Sequence, residues 1–186
     1  MRTKLAFVLV LCAVASAQQA TAPKAPKDES LYISESKLQS IMQSAAGSFS
    51  SRLFDGGSYS TAFIRLTAPD QPHAHGIWSE VFVIKEGSAI LETGGTIIGD
   101  ITGDSAVHRA IFVDGAGKAQ PQPEPAKPAA ARRVVPGDKS GTAIEGGRKQ
   151  RVQAGDVILG PAGVAHTFIQ VDQPVVYLDI KFPKAE

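Results

Sequence analysis

The chain has 186 residues, with 19 Lys and Arg against 18 Asp and Glu, and a net charge of +1 at pH 7. A charge this balanced excludes the strongly basic composition of proteins that bind nucleic acid or anionic membrane surfaces. The single cysteine excludes an intramolecular disulfide, so a hydrophobic core must stabilise the fold, and the length suits one domain.

The first 17 residues have the pattern of a secretory signal peptide. Arg2 and Lys4 precede an apolar run over 5–14, and small residues lead up to Ala17. The run is shorter than the roughly 20 residues that a membrane-spanning helix needs. We therefore expect cleavage near Ala17/Gln18, and a secreted or periplasmic mature protein that is not held in a membrane.

Residues 18–30 are rich in Ala, Pro and Lys, which predicts a flexible leader before a single domain over 31–186. Apolar residues then recur at helical spacing, and Gly47 follows the last of them. The pattern predicts one short amphipathic helix, over about 34–46, that packs on the outside of a sheet.

Short β-prone runs separated by Gly, Pro and Asp follow the helix, which predicts an all-β sandwich or small barrel. The runs are 59–67, 81–84, 89–91, 96–101, 110–113, 157–159, 166–171 and 175–182.

Residues 114–141 interrupt these runs with five prolines and several Ala and Lys, a composition that cannot build a strand ladder. We expect an exposed inserted loop. It is either a lid over a site or a plain surface insertion, and the second is favoured because long loops cost little free energy.

His73, His75 and Glu80 form a compact group, and His166 follows a second segment rich in Gly and Pro. Residues two apart on a strand face the same side, so His73 and His75 point together. Glu80 has the opposite parity, but Gly76 allows a break after which a new strand turns Glu80 inward. Three imidazoles and one carboxylate predict a transition-metal site.

The strand that carries Glu80 has Phe82 and Ile84 on its inner face and Val81 and Val83 on its outer face. Gly87 is expected to close it. The outer valines require a cover, for which the helix, a second sheet or a second subunit in a homodimer are the alternatives.

The donor set suits Fe(II), Mn(II), Ni(II), Co(II) or Zn(II), and affinity order does not select one of them. Four protein ligands leave two octahedral positions for water, O₂ or a chelating small molecule.

The spacing His73-x-His75-x₄-Glu80-x₆-Gly87, with Gly155-x₅-Pro161-x-Gly163-x₂-His166, resembles the two motifs of the cupin superfamily. This resemblance covers about 59–182. It implies a small single-domain antiparallel β-barrel (double-stranded β-helix or jelly roll), often dimeric, with the four motif residues as metal ligands.

Four residues are candidates for contacts with a substrate: Gln170, Trp78, Arg65 and Tyr177. The competing interpretation places Trp78 at a barrel rim and Arg65 on a solvated face, and Tyr177 is equally consistent with a pocket or an outward position.

The mature sequence has no phosphate-binding loop, nucleophile elbow or cysteine nucleophile, so any chemistry must depend on the metal. We expect a metal-dependent enzyme that acts on a small molecule, with dioxygenase chemistry first and a lyase or isomerase second. The alternative is a non-catalytic module that binds a metal and a small ligand.

Overall fold

The computed structural model describes residues 24, 26, 28–99, 111–112 and 137–184. The predicted signal peptide, most of the leader, His108 and most of the predicted inserted loop lie outside these residues. Within them, no helix has the length and apolar character that crossing a membrane requires.

The described elements are one helix and eleven strands. In chain order they are α1 (Glu35–Gln43), β1 (Phe49–Asp55), β2 (Ser60–Leu66), β3 (His73–Ala74), β4 (Trp78–Thr93), β5 (Thr96–Ile98), β6 (Ile111–Phe112), β7 (Lys139–Ser140), β8 (Ala143–Glu145), β9 (Arg148–Gln153), β10 (Val157–Gly160) and β11 (His166–Pro183).

The two long strands, β4 and β11, pair with each other along almost their whole length and organise the main sheet. The strand order in this sheet is β10-β4-β11-β2-β1-β6. In addition, β9 pairs with β4, and β3 pairs with both β11 and β7. β5 and β8 form a separate two-stranded sheet. Apart from the β1–β6 pair, all these strand pairs are antiparallel. The predicted antiparallel all-β fold with one short helix is confirmed.

Side chains from alternate strand positions build two apolar clusters on opposite faces of the sheet. The inner cluster consists of Ile64, Leu66, Phe82, Ile84, Ala89, Leu91, Val152, Phe168, Val175 and Tyr177. The outer cluster joins α1 to the sheet through Ile41, Phe49, Leu53, Phe63 and Val176. The helix therefore packs outside the sheet, as its pattern predicted.

The helix begins as predicted but ends earlier. The Lys37 N–H donates to the Ser34 hydroxyl at 3.2 Å, a normal N-cap. The helix ends at Gln43 rather than at Gly47, because Ser44 turns its N–H and hydroxyl back onto the Ile41 carbonyl.

Gly87 does not close its strand, which corrects the prediction. It adopts φ +77° inside β4, and the facing residues of β11 shift register between Gln173 and Val176. The glycine thus forms a local irregularity after which pairing resumes, so two predicted runs merge in β4 and two in β11. β1, whose Phe49, Ser51 and Leu53 are buried, was not predicted.

Candidate metal centre

The two motif segments meet where β3 pairs with the first residue of β11. His73 lies directly opposite His166 in this ladder, and His75 follows β3. The Gly163 N–H donates to the His75 carbonyl at 2.7 Å, so the turn before β11 is fastened to the first segment. After the break at Gly76 and Ile77, β4 begins and turns Glu80 inward, as predicted.

All four predicted ligands are buried and lie together. One ligand atom from each of His73, His75 and His166 falls within 4.8 Å of the other two. Glu80 Oε1 lies 3.2 Å from His75 Nε2, and Glu80 Oε2 lies 3.0 Å from His166 Nε2. The structure therefore brings together a carboxylate and three imidazoles from β3, β4 and β11.

Backbone carbonyls orient two of the rings. His73 Nδ1 lies 2.8 Å from the Gln71 carbonyl, and His166 Nδ1 lies 3.1 Å from the Val164 carbonyl. A carbonyl oxygen can only accept a hydrogen bond, so each Nδ1 carries a proton, and in the neutral ring the Nε2 keeps its lone pair. Ligating histidines are normally held in this way.

The buried His166 Nε2 has no hydrogen-bond partner in the described part of the chain, although Glu80 Oε2 faces it. When the ring is neutral, its Nε2 lone pair and the carboxylate oxygen face each other at 3.0 Å, and a cation between them, a proton or a metal ion, would satisfy both. The residues therefore fit a divalent transition metal, with nitrogen and oxygen ligands.

The charges at the centre favour an ionised carboxylate. Burial alone would raise the pKa of Glu80, but the contacts with His166 and His75 and the charge of Lys181 hold it well below its usual range. Burial lowers the pKa of His166, but Glu80 outweighs this effect and the net shift is upward. Glu80 thus remains in the form that binds cations.

Lys181 is a member of the centre that the sequence pattern did not single out. Its position on β11 is directly opposite Glu80. Lys181 Nζ lies 2.7 Å from Glu80 Oε1 and 2.8 Å from His75 Nε2. Burial lowers the pKa of Lys181, but Asp179 and Glu80 reverse the shift and raise it. Tyr177, Asp179 and Lys181 alternate along β11, and this period of two was the available signal.

Asp179 is buried beside Lys181, with Oδ2 3.7 Å from Lys181 Nζ. Burial raises the pKa of Asp179 to about 6, although the ammonium of Lys181 opposes the shift.

Asp138 is a second residue that sequence reasoning missed, because it lies in the segment predicted as an exposed loop. Residues 137–141 are instead ordered against the site, and β7 pairs with β3. Asp138 Oδ1 accepts the Gly76 N–H at 2.8 Å, and Asp138 Oδ2 lies 3.6 Å from His75 Nδ1. The end of the predicted loop thus supports a ligand.

Two of the four predicted substrate contacts lie elsewhere. Arg65 donates to the Gly47 carbonyl at 2.8 Å and to the Met42 carbonyl at 3.1 Å, and it also contacts the Ala45 carbonyl. It therefore ties the end of the helix segment to β2. Gln170 is exposed and bonds to Asp172, because a register shift after Phe168 breaks the strand alternation.

The other two candidates are Tyr177, which packs close to the candidate metal centre, and Trp78, which is two residues before Glu80 in the chain. Tyr177 is fully buried in the inner cluster, with its ring centroid 5.3 Å from that of Phe82, whose ring is 5.5 Å from that of His166. It belongs to the layer next to the site. Trp78 is half-buried at the start of β4, opposite Pro183 of β11.

The fold and the site define a class: an antiparallel β-barrel that carries a buried, histidine-rich candidate metal centre, as the resemblance to the cupin superfamily implies. No family model matches this chain, and no curated protein matches it.

Solved structures with some likeness are cupin or double-stranded β-helix proteins. The protein BH2720 from Bacillus halodurans is 11% identical, with 89% of each chain covered and a TM-score of 0.47. An uncharacterized conserved protein with a double-stranded β-helix domain from Klebsiella pneumoniae is 10% identical, with 83% of this chain and 91% of that chain covered and a TM-score of 0.46.

The DMSP lyase DddQ from Ruegeria pomeroyi is 15% identical, with 76% of this chain covered and a TM-score of 0.41. This chain spans about half of it, 53% of its length. Likenesses this distant carry no argument about what the chain binds or does.

Proposed function

We propose that this chain is an exported, metal-dependent enzyme that acts on a small organic molecule. The observation that carries the proposal is the convergence of three histidine donors with the Glu80 carboxylate in a buried centre. Export rests on the signal pattern of residues 1–17.

The chemistry that a divalent ion would supply here is polarisation of a coordinated oxygen and stabilisation of negative charge on it. Four protein ligands leave positions for two adjacent oxygens of a substrate. The chain's own residues would orient that molecule and keep bulk water away, since the four ligand side chains are almost completely buried.

An enzyme is favoured over a binding module because a polar group lies beside the ligands. Lys181 Nζ is within hydrogen-bond distance of His75 Nε2 and Glu80 Oε1. It is therefore close enough to contact an oxygen bound next to them, as a group that moves or holds a proton must be. A module that only retains an apolar ligand would not require a charged group there.

Oxygen-dependent cleavage is the first candidate reaction, because this ligand set with open positions suits redox metals. The second candidate is a metal-assisted proton transfer, as in a lyase or isomerase. The specific observation that favours the second is the Lys181–Asp179 pair beside the centre. Turnover without O₂ in protein loaded with Zn(II) would exclude the first candidate.

The metal-binding part is tested by titrating the mature protein with Co(II), whose visible absorption reports its coordination. We expect one ion per chain, and a gain in the free energy of unfolding of about 4 kcal/mol at a thousandfold excess over Kd. His166→Ala should abolish both effects, since it removes one of the three imidazoles of the candidate metal centre.

The matched control is His108→Ala, which removes the one histidine that belongs to neither motif. It should bind Co(II) like the wild type. A wild-type protein that takes up no ion, or a His166→Ala variant that binds as tightly as His108→Ala, would contradict the proposal.

A further inference from the structure

Lys181 differs from the ligands in its access to solvent. Its side chain is 18% exposed, against 3% for Glu80 and 6% each for His75 and His166. It is thus the most accessible charged group at the centre. A small molecule that approaches the centre from the side of Lys181 therefore meets a cation beside the ligands.

The ammonium is held on two sides by carboxylates. Glu80 Oε1 is 2.7 Å away and Asp179 Oδ2 is 3.7 Å away. Asp179 Oδ1 is buried and has no hydrogen-bond partner among the described residues, so this carboxylate has capacity left for a donor. Asp179 is therefore suited to keep the ammonium in place.

The contacts of Lys181 overlap with those that a metal would make. His75 Nε2 and Glu80 Oε1 both lie within 2.8 Å of Nζ and are also predicted metal ligands. When these two atoms bind a metal, the ammonium retains Asp179 and needs another acceptor. An anionic oxygen close to the ligands meets this need through a charge-assisted hydrogen bond.

We propose that Lys181, oriented by Asp179, is a substrate-binding residue, and that the substrate is a small carboxylate whose neighbouring oxygen binds the metal. This inference rests on the proposed function. It narrows the substrate class from small organic molecules to carboxylates such as 2-hydroxy or 2-oxo acids. A neutral diol lacks the charge that Lys181 recognises.

The test compares two probes that differ in one group, glycolate and ethylene glycol, on the Co(II)-loaded protein. Binding is followed by the change in Co(II) absorption. We expect glycolate to bind the wild type at least about tenfold more tightly than ethylene glycol. Lys181→Met should weaken the binding of glycolate by about tenfold and leave that of ethylene glycol unchanged, so that only the carboxylate's own affinity for Co(II) still favours glycolate. Lys181→Arg should restore part of the lost affinity because the positive charge returns.

The matched control is Lys184→Met, since Lys184 is exposed just beyond β11 and is linked to the fold through its backbone. It should keep the preference for glycolate. If Lys181→Met does not fold, as judged by circular dichroism, then Lys181→Gln replaces it, because an amide retains a donor to Glu80 without the charge.

The outcomes separate the two proposals. A wild type that takes up no Co(II) contradicts the metal-dependent function itself. A wild type that binds Co(II) but shows no preference for glycolate overturns the role of Lys181. So does a neutral variant that binds glycolate as tightly as the wild type, and in both cases the metal site stands.

Discussion

Asp138 shows at the scale of single residues how the site depends on groups that are not ligands. Its two carboxylate oxygens contact the Gly76 N–H and approach His75 Nδ1, so one side chain supports both the chain break and the ring. Such support orients a ligand and makes it more basic. Removing the Asp138 carboxylate should therefore weaken metal binding although no metal ligand is lost.

We predict that Asp138→Asn lowers the affinity for Co(II) by about 10- to 100-fold, the usual effect of losing a partner of a ligating histidine. Titration followed by absorption measures this. Asp172→Asn is the control, because Asp172 pairs with Arg151 at the surface, 2.7 Å away. Equal affinities in the two variants would show that Asp138 does not support the site.

Asp70 is a second buried carboxylate that supports the backbone beside a ligand, here at the residues of β11 that follow His166. Its Oδ1 accepts the Thr167 hydroxyl at 2.8 Å and the Phe168 N–H at 2.6 Å, next to His166. Burial raises the pKa of Asp70 from 3.8 to about 6, although these hydrogen bonds oppose the shift. The folded protein therefore binds this proton more tightly than the unfolded chain does.

It follows that the stability contributed by Asp70 is complete below pH 3.8 and is lost as the pH rises to about 6. Asp70→Asn keeps the Oδ1 acceptor but cannot ionise. The unfolding free energy of the variant minus that of the wild type should rise by up to about 3 kcal/mol between pH 4 and pH 7.5. Urea unfolding at both pH values measures it, and a difference independent of pH would contradict it.

At the scale of elements, the β4–β11 pair carries the site. Glu80 of β4 lies directly opposite Lys181 of β11 in this ladder, and His166 is the first residue of β11. The 3.0 Å contact between His166 and Glu80 shows that the two ends of the ladder lie close together. The pair can be this long because Gly87 lets β4 follow the irregular part of β11. A Cβ at Gly87 would overlap the Pro174 carbonyl oxygen, which belongs to the backbone and cannot move aside alone.

We predict that Gly87→Ala destabilises the protein by roughly 3 kcal/mol or more, since it combines an unfavourable φ with a backbone clash. Gly57→Ala is the control, because Gly57 has φ +82° but no atom within 4 Å of a Cβ. It should cost only about 1–2 kcal/mol, the penalty for the left-handed conformation. Chemical unfolding measures both. Equal losses of unfolding free energy in the two variants would mean that the backbone near Pro174 moves away from the added Cβ without a cost in stability.

At the scale of the whole molecule, the outer face remains partly apolar. Val157 and Leu159 on β10 are 65% and 61% exposed, and they pair in register with Val83 and Val81 of β4. The helix covers the face near Phe63 and Val176 instead. Of the three covers that the sequence allowed for the outer valines, we therefore propose the second subunit for this strip.

The homodimer stays a prediction, and we propose that the apolar strip formed by Val157 and Leu159 packs against the same strip of a second copy. Light scattering on the mature protein at about 50 μM should give twice the mass of one chain. A dimer whose Kd is in the micromolar range or below is largely formed at this concentration. Leu159→Lys should give the monomer mass, and Gln150→Lys, at an exposed polar position, should not. A wild-type protein with the mass of one chain would refute the proposal.

Local spacing was sufficient to predict much of this protein. Strand alternation, with the break that Gly76 allows, predicted that His73, His75 and Glu80 would point inward together. The motif with Gly163 predicted the turn that brings in His166. These features depend on a few neighbouring residues, and a strand repeats every two residues wherever it lies. The β-rich fold class followed from the same short-range patterns.

The tertiary structure alone decided the surroundings of the ligands. Lys181 lies at the centre because the register of β11 on β4 places it opposite Glu80, and Asp138 lies there because β7 pairs with β3. Gln170 is turned away by a single register shift, and Arg65 donates to carbonyls at the end of the helix and in the residues that follow it. Cross-strand register and packing join residues far apart in the chain, and a one-residue slip reverses a face, so sequence spacing cannot determine them.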